Sequence, residues 1–205
     1  MVTMAIRNGI LIAMISSDRL ENLLKTLGEL LKARGHAYAL VTVGGGSLLL
    51  LKLGVRPTRD LDVIALAEGA AYRKAETLPA PLVEAARDVG IAAGVGEHWL
   101  NAGPAGLMDF GLPAGFAGRA EVRRYGTLTV HIAARLDQIC FKLYAAVDQA
   151  PASKHLEDLR LLEPTEEELV EAARWSTTHD PSEGYRAQLV ALLRMLGIPN
   201  ADREL

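Results

Sequence analysis

Residues 43–64 read VGGGSLLLLKLGVRPTRDLDVI, and the reading of the whole chain starts from this stretch. It follows a β-branched apolar run, Tyr38 to Val43, which ends in the turn Gly44, Gly45, Gly46, Ser47. A short apolar helix is expected over Leu48 to Leu53, and a second strand over Leu61 to Leu66. Asp60 and Asp62 stand two residues apart at the start of that second strand. Side chains i and i+2 of a strand point the same way, so both carboxylates are expected to face one point. Glycine lets the backbone approach a ligand closely, and successive backbone N–H groups at such a turn favour phosphate. Paired hard oxygen ligands beside a phosphate cradle suit a Mg²⁺–nucleotide complex.

Worked outward, the chain falls into two halves. Ser16, Ser17 or Asp18 caps a helix that runs to Arg34, with Leu20, Leu23, Leu24, Leu27, Leu30 and Leu31 on one face. Gly35 ends it. After the acidic strand, a break at Pro79 and Pro81 precedes a helix over Leu82 to Ala92. Residues 94–120 are rich in Gly, Pro and Ala and read as loops around one short strand near Trp99. Strands are expected over Glu121 to Tyr125 and Leu128 to Ile132, turning at Gly126. From there on the pattern is helical: Arg135 to Ala150, Ser153 to Leu162, a helix opened by Pro164 and Thr165, and one from Ser182 to Leu196. The expected fold class is α/β, a small mixed sheet flanked by helices (16–132) followed by a helical C-terminal part (133–205).

Composition bounds what such a chain does. Its 205 residues are half hydrophobic and 23% charged, the profile of a globular protein with a proper core. A net charge of −3 gives no support to wholesale nucleic-acid binding, although a local basic patch still docks RNA. The single cysteine, Cys140, excludes an internal disulfide and lies in an apolar helix, where it reads as a buried inert thiol. No segment reads as a membrane span, and the expected location is the cytoplasm. The first fifteen residues read as a terminal strand or an over-extended start, with Met14 an alternative start. The five histidines, His36, His98, His131, His155 and His179, are scattered, so no zinc site is expected.

The Gly-Gly-Ser turn, helix and Asp-x-Asp strand, with the wording RPTRDLD, resemble the nucleotidyltransferase signature of the DNA polymerase β superfamily, and most of all its minimal AbiEii, type IV toxin-like members. The resemblance is strongest at 43–64 and covers 134–162 more loosely. It implies transfer of a nucleoside monophosphate from a nucleoside triphosphate to an RNA hydroxyl, tRNA ends among them, or to a protein hydroxyl. It implies Mg²⁺ or Mn²⁺ held by Asp60 and Asp62, with Gly45, Gly46 and Ser47 on the β- and γ-phosphates. Arg56 and Arg59 are read either as nucleotide or acceptor contacts or as a solvated turn. The resemblance also places a phosphate-reaching Lys142 in one C-terminal helix and Asp158 in the next, and an antitoxin protein as a partner. A third metal carboxylate is expected near Trp99, where HWLNAG carries Asn101 and no acid; Asp109, Glu121 or neither fills that place. Two rival readings remain: a non-catalytic nucleotide- or partner-binding module on a degenerate version of the fold, and transfer to a small molecule, as in antibiotic-modifying relatives.

Overall fold

The computed structural model describes residues 4–7, 10–54, 56–69, 71–109, 111–149 and 153–205. Along the chain these form β1 (Met4–Arg7), β2 (Ile10–Ala13), α1 (Ser17–Ala33), β3 (Tyr38–Val43), α2 (Gly44–Leu50), β4 (Leu61–Glu68), β5 (Ala71–Lys74), α3 (Ala80–Ala92) and β6 (Leu100–Asn101). A 3-10 segment, Gly103–Met108, follows, then α4 (Phe116–Arg119), β7 (Glu121–Tyr125), β8 (Leu128–Ile132), α5 (Arg135–Gln149), α6 (Lys154–Leu161), α7 (Glu166–His179), α8 (Glu183–Met195) and α9 (Ala201–Glu204). The class is mixed α/β, as expected from the sequence: a six-stranded mixed sheet flanked by helices, then a helical C-terminal region.

The chain divides into two compact units, Met1–Met108 with Ala120–Ala133, and Asp109–Arg119 with Ala134–Leu205. The sequence division at 132/133 therefore omits one detail. Residues 109–119 leave the sheet unit and join the helical one, through contacts that no local pattern announces.

In the sheet unit the main strand order is β5-β4-β3-β8-β7, with β6 paired to β4. β3 runs parallel to β8 and antiparallel to β4. Alternation sorts the two faces. Leu40, Leu61, Val63, Leu66, Leu128, Val130 and Ile132 join the core with Leu20, Leu24, Leu27 and Leu31 of α1 and Leu82, Ala85 and Val89 of α3. Helix α1 starts where Ser16 accepts a hydrogen bond from the Arg19 N–H. It lies so close to β7 that a Cβ on Gly28 would stand 1.8 Å from the Tyr125 carbonyl oxygen. Arg123 and Tyr125 reach Glu21 of α1, Arg123 Nη1 at 2.5 Å and the Tyr125 hydroxyl at 2.9 Å. Burial and the Glu21 carboxylate push the Tyr125 phenol up to about 12. Strands β1 and β2 pair antiparallel, with Arg7 opposite Ile10.

The helical unit packs α5 against α6, α7 and α8. Capping side chains set its boundaries. Ser153 caps α6 and Ser182 caps α8. Thr165 and Glu168 form a reciprocal capping box at α7. The sequence expectation for α5 extended to Ala150, which lies outside the described residues. Residues 109–119 are tied in by Arg119, whose Nη2 lies 2.5 Å from a fully buried Asp137 carboxylate, and by Gly111, whose carbonyl accepts the Trp175 indole N–H at 3.1 Å. Burial raises the Asp137 carboxyl, against the opposing pull of Arg119. Cys140 is buried and its thiol is pushed up to about 12, the inert state expected from the sequence.

Candidate functional site

The glycine turn proves to be the first turn of α2 itself. The helix begins at Gly44 and ends at Leu50, earlier at both ends than the Leu48 to Leu53 expected from the apolar run. Lys52 then adopts φ 60°, and the N–H groups of Leu53 and Gly54 close back on the Leu48 carbonyl. Four leucines in a row made the later boundary look natural. Glycine is a poor helix former in isolation, but here a helical first turn is imposed by the strand on one side and β4 on the other.

That close approach explains the glycines one by one. Gly44 has φ +78°, and a Cβ there would lie 2.8 Å from Asp62 Oδ2. A Cβ on Gly45 would meet Thr58 Oγ1 at 3.2 Å. One on Gly46 would meet the Asp60 carbonyl oxygen at 2.9 Å and Leu61 Cδ1 at 2.8 Å. A side chain at Gly46 would therefore displace the backbone of the segment carrying the two aspartates, and one at Gly44 would displace the Asp62 carboxylate. Val43 is directly opposite Asp62 in the β3–β4 ladder, so the Asp62 carboxylate sits over the end of β3 and the start of α2. Asp60 and Asp62 are partly exposed while Leu61 and Val63 are fully buried, the alternation that strand parity requires. Thr58 anchors the approach to Asp60: its N–H and carbonyl bond to Ile15, and its hydroxyl donates to the Asp60 carbonyl at 3.3 Å.

The remaining expected residues divide clearly. Ser47 is wholly buried and its hydroxyl bonds to Thr42 Oγ1 at 2.9 Å, so, against its expected place on the phosphates, its side chain is turned into the interior. Arg56 and Arg59 are both exposed on the loop leading to Asp60. At the third-carboxylate place, β6 sets Asn101 beside Asp62 in the parallel β4–β6 register, and the Asn101 side-chain oxygen accepts the Gly103 N–H at 2.8 Å. Glu121 lies on edge strand β7, separated from β4 by β8 and β3, and is bound to Arg123 at 2.7 Å, so it does not join the pair. Asp109 belongs to the helical unit, where its charge acts on His179. Among the described residues no group of three or more His, Cys, Asp or Glu side chains is placed to hold a metal ion.

Lys142 and Asp158 meet in the helical unit. The ammonium of α5 lies 2.6 Å from the carboxylate of α6, and each residue is only 4% exposed. Where the resemblance implies a phosphate-reaching lysine, the structure has a buried ion pair. The resemblance puts both on one cleft, and in the structure they meet each other in the interior of the helical unit. Arg123 and Arg124 part to opposite faces as alternation predicts: Arg123 turns to Glu21, and Arg124 acts on His131.

Sequence reasoning passed over His131 and Tyr72. They lie 3.1 Å apart, Tyr72 Oη to His131 Nδ1, although they stand on β5 and β8. Burial, and then Arg124, hold the His131 imidazole below its ordinary value. The signal was present in LTVHI, whose alternation puts His131 on the face opposite Leu128, Val130 and Ile132.

No family model, curated protein or solved structure matches this chain. Among the described residues no helix is long and apolar enough to cross a membrane.

Proposed function

We propose that this chain is a divalent-metal-dependent nucleotidyltransferase of the toxin-like minimal type, moving a nucleoside monophosphate from a nucleoside triphosphate to an RNA or protein hydroxyl. The observation that carries the reading is the contact of Asp62 with the glycine turn, with a Gly44 Cβ position 2.8 Å from Asp62 Oδ2. The Asp60 carbonyl lies against the same turn, 2.9 Å from a Gly46 Cβ position, so both acids are carried by a segment seated on the glycines. A purely structural turn has no need of two acids in succession at its edge, because neighbouring carboxylates destabilise each other when both are ionised.

The donor set fits a hard cation. Asp60 and Asp62 supply carboxylate oxygens on one strand parity, both partly exposed, and Asn101 supplies an amide in register beside them. Mg²⁺ or Mn²⁺ bound there would favour ionisation of the attacking hydroxyl and offset charge on the departing pyrophosphate. The chain's own parts act around it. The N–H groups of Gly45 and Gly46, in the first turn of α2, have no helical acceptor and would face phosphate oxygens, whereas the Ser47 N–H is taken by the Val43 carbonyl as the first bond of the helix. The exposed Arg56 and Arg59 add charge-assisted donors for the triphosphate or for a polyanionic acceptor. Lys142 and Asp158 enter as the pair that joins α5 to α6.

The test is incubation of the purified protein with each α-labelled nucleoside triphosphate, Mg²⁺ or Mn²⁺, and total cellular RNA or lysate protein. Label in RNA or protein that needs both metal and Asp62 supports the reading. A second reading is favoured by Asn101 at the third-acid place: a nucleotide-binding module without transfer, for which an antitoxin-like or other protein would be the partner. It predicts metal-dependent nucleotide binding by calorimetry with no labelled product.

A further inference from the structure

The face of the sheet that carries Asp62 holds a second group of polar side chains. Val43 opposes Asp62, and two residues back along β3 Val41 opposes both Ala65 of β4 and His131 of β8. Ala65 in turn opposes Lys74 of β5, and Ala67 opposes Tyr72. His131, Lys74 and Tyr72 therefore project from the same face as Asp62, one step along the strands. Tyr72 reaches His131 across β4 and β3, with the small side chains of Ala65 and Ala67 on the strand between. The groups facing the imidazole from neighbouring strands are the Tyr72 phenol from β5, the Arg124 guanidinium and apolar Val122 from β7, and apolar Val41 from β3. Asp60 and Asp62 are the metal ligands of the proposed site, and among the described residues of this face His131 is the imidazole, the side chain whose ordinary titration range lies nearest pH 7.

We infer that His131 is the proton acceptor of the transfer reaction, with its Nδ1–H donated to Tyr72 Oη and its Nε2 lone pair turned to the acceptor hydroxyl. The inference rests on the nucleotidyl-transfer reading above. The hydroxyl proton passes to Nε2. The oxygen's electron pair forms the new bond to the α-phosphorus, the bond from that phosphorus to the β-phosphate bridging oxygen breaks, and pyrophosphate leaves with its electrons. The imidazolium then returns its proton to water. Burial and Arg124 both favour the neutral ring, so the base is ready at pH 7. Tyr72 orients the ring through this contact, with its hydroxyl oxygen as the acceptor for Nδ1–H in the proposed tautomer.

Two measurements test this. In the transfer assay, His131→Gln is expected to lower kcat by about 100-fold or more, with little change in nucleotide KM, and to remove the fall in rate on the acid side of the pH profile. Tyr72→Phe is expected to give a smaller loss in the same direction. In the metal-free protein, nitrogen NMR of the imidazole is expected to show the Nδ1–H tautomer at pH 7, changing in Tyr72→Phe. An Nε2–H tautomer in the wild type overturns the inference whatever the activity, and applies even where His131→Gln does not fold. Wild-type kcat in a folded His131→Gln overturns this inference alone. No Asp62-dependent transfer by the wild type overturns it together with the reading beneath it.

Discussion

Two sets of charged side chains, one in each unit, are built on opposite principles. In the sheet unit, two like-charged residues, Asp60 and Asp62, stand two apart and partly exposed at the start of β4, with the Asp62 carboxylate and the Asp60 carbonyl against a turn of glycines. In the helical unit, Lys142 and Asp158 bring opposite charges together in the interior, each 4% exposed. The second pair is self-compensating, so its existence needs only a fold that holds two helices together. The first pair is not. Two carboxylates do not offset each other's charge, and partial exposure keeps both within reach of a cation from solvent. Charge sign and exposure together therefore separate a candidate ligand site from a structural ion pair, even though both involve aspartates on regular elements.

Substitutions on the two sides break this comparison in opposite ways. The largest effect is expected for Asp62→Ala in the transfer assay. Labelled product should fall to background, while the melting temperature of the metal-free protein stays the same or rises slightly as the repulsion is removed. The wild type should melt higher with Mg²⁺ and a nucleoside triphosphate, and the variant should not. A metal-free variant that is several kcal/mol less stable yet still active would return Asp62 to the structural class.

Lys142→Met should do the reverse. It strands a buried carboxylate and is expected to destabilise by about 3–5 kcal/mol in a denaturant titration. The double change Lys142→Met with Asp158→Leu should recover most of the loss, because neither charge then remains to be desolvated. Recovery in the single variant, without the second change, would show that the pair is not the buried contact described.

Gly44→Ala sharpens the first half. The left-handed backbone at φ +78° penalises alanine by about 1–2 kcal/mol, and the new methyl must also displace the Asp62 carboxylate. Nucleotide-dependent stabilisation is expected to weaken along with folding stability. Gly35→Ala is a control, since Gly35 shares a positive φ of +74° but has nothing within 4 Å of a Cβ. It should show the backbone effect alone, with nucleotide response intact.

The smallest effect concerns pH. Burial pulls the Glu168 carboxyl upward, but Arg135 and the Thr165 N–H outweigh it and hold the group below its ordinary value. A carboxyl with a depressed folded pKa adds stability above its unfolded pKa, and that stability is lost as pH falls through the folded one. Glu168→Gln is therefore expected to lower stability at pH 7 by less than about 1 kcal/mol, with the difference closing on acidification. Unfolding curves at pH 7 and at successively lower pH check the sign.

How much was legible follows the reach of each interaction. The cap at Ser16, the capping box at Thr165 and the alternation of Leu128 to Ile132 are local, and each was readable from a few adjacent residues. Strand β5 was missed, because its alternation covers only Ala71–Lys74 and its partner is β4. The short strand expected near Trp99 is β6, but the stretch at 94–120 also holds a 3-10 segment and α4, since glycine, proline and alanine there mask short elements that exist only against a neighbour.

At the site, the sequence alone determined the identity and parity of Asp60 and Asp62 and the glycines before them, because a period of two and a turn are properties of the chain itself. It also determined that HWLNAG offers Asn101 rather than an acid. Only tertiary structure decided that Asn101 stands in register with Asp62, that Ser47 bonds Thr42, that Lys142 is answered by Asp158, and that Tyr72 reaches His131 over two intervening strands. Each of those depends on which strand or helix lies beside which. That choice is made by burial of distant apolar surface across the whole unit, and no window of neighbouring residues contains it.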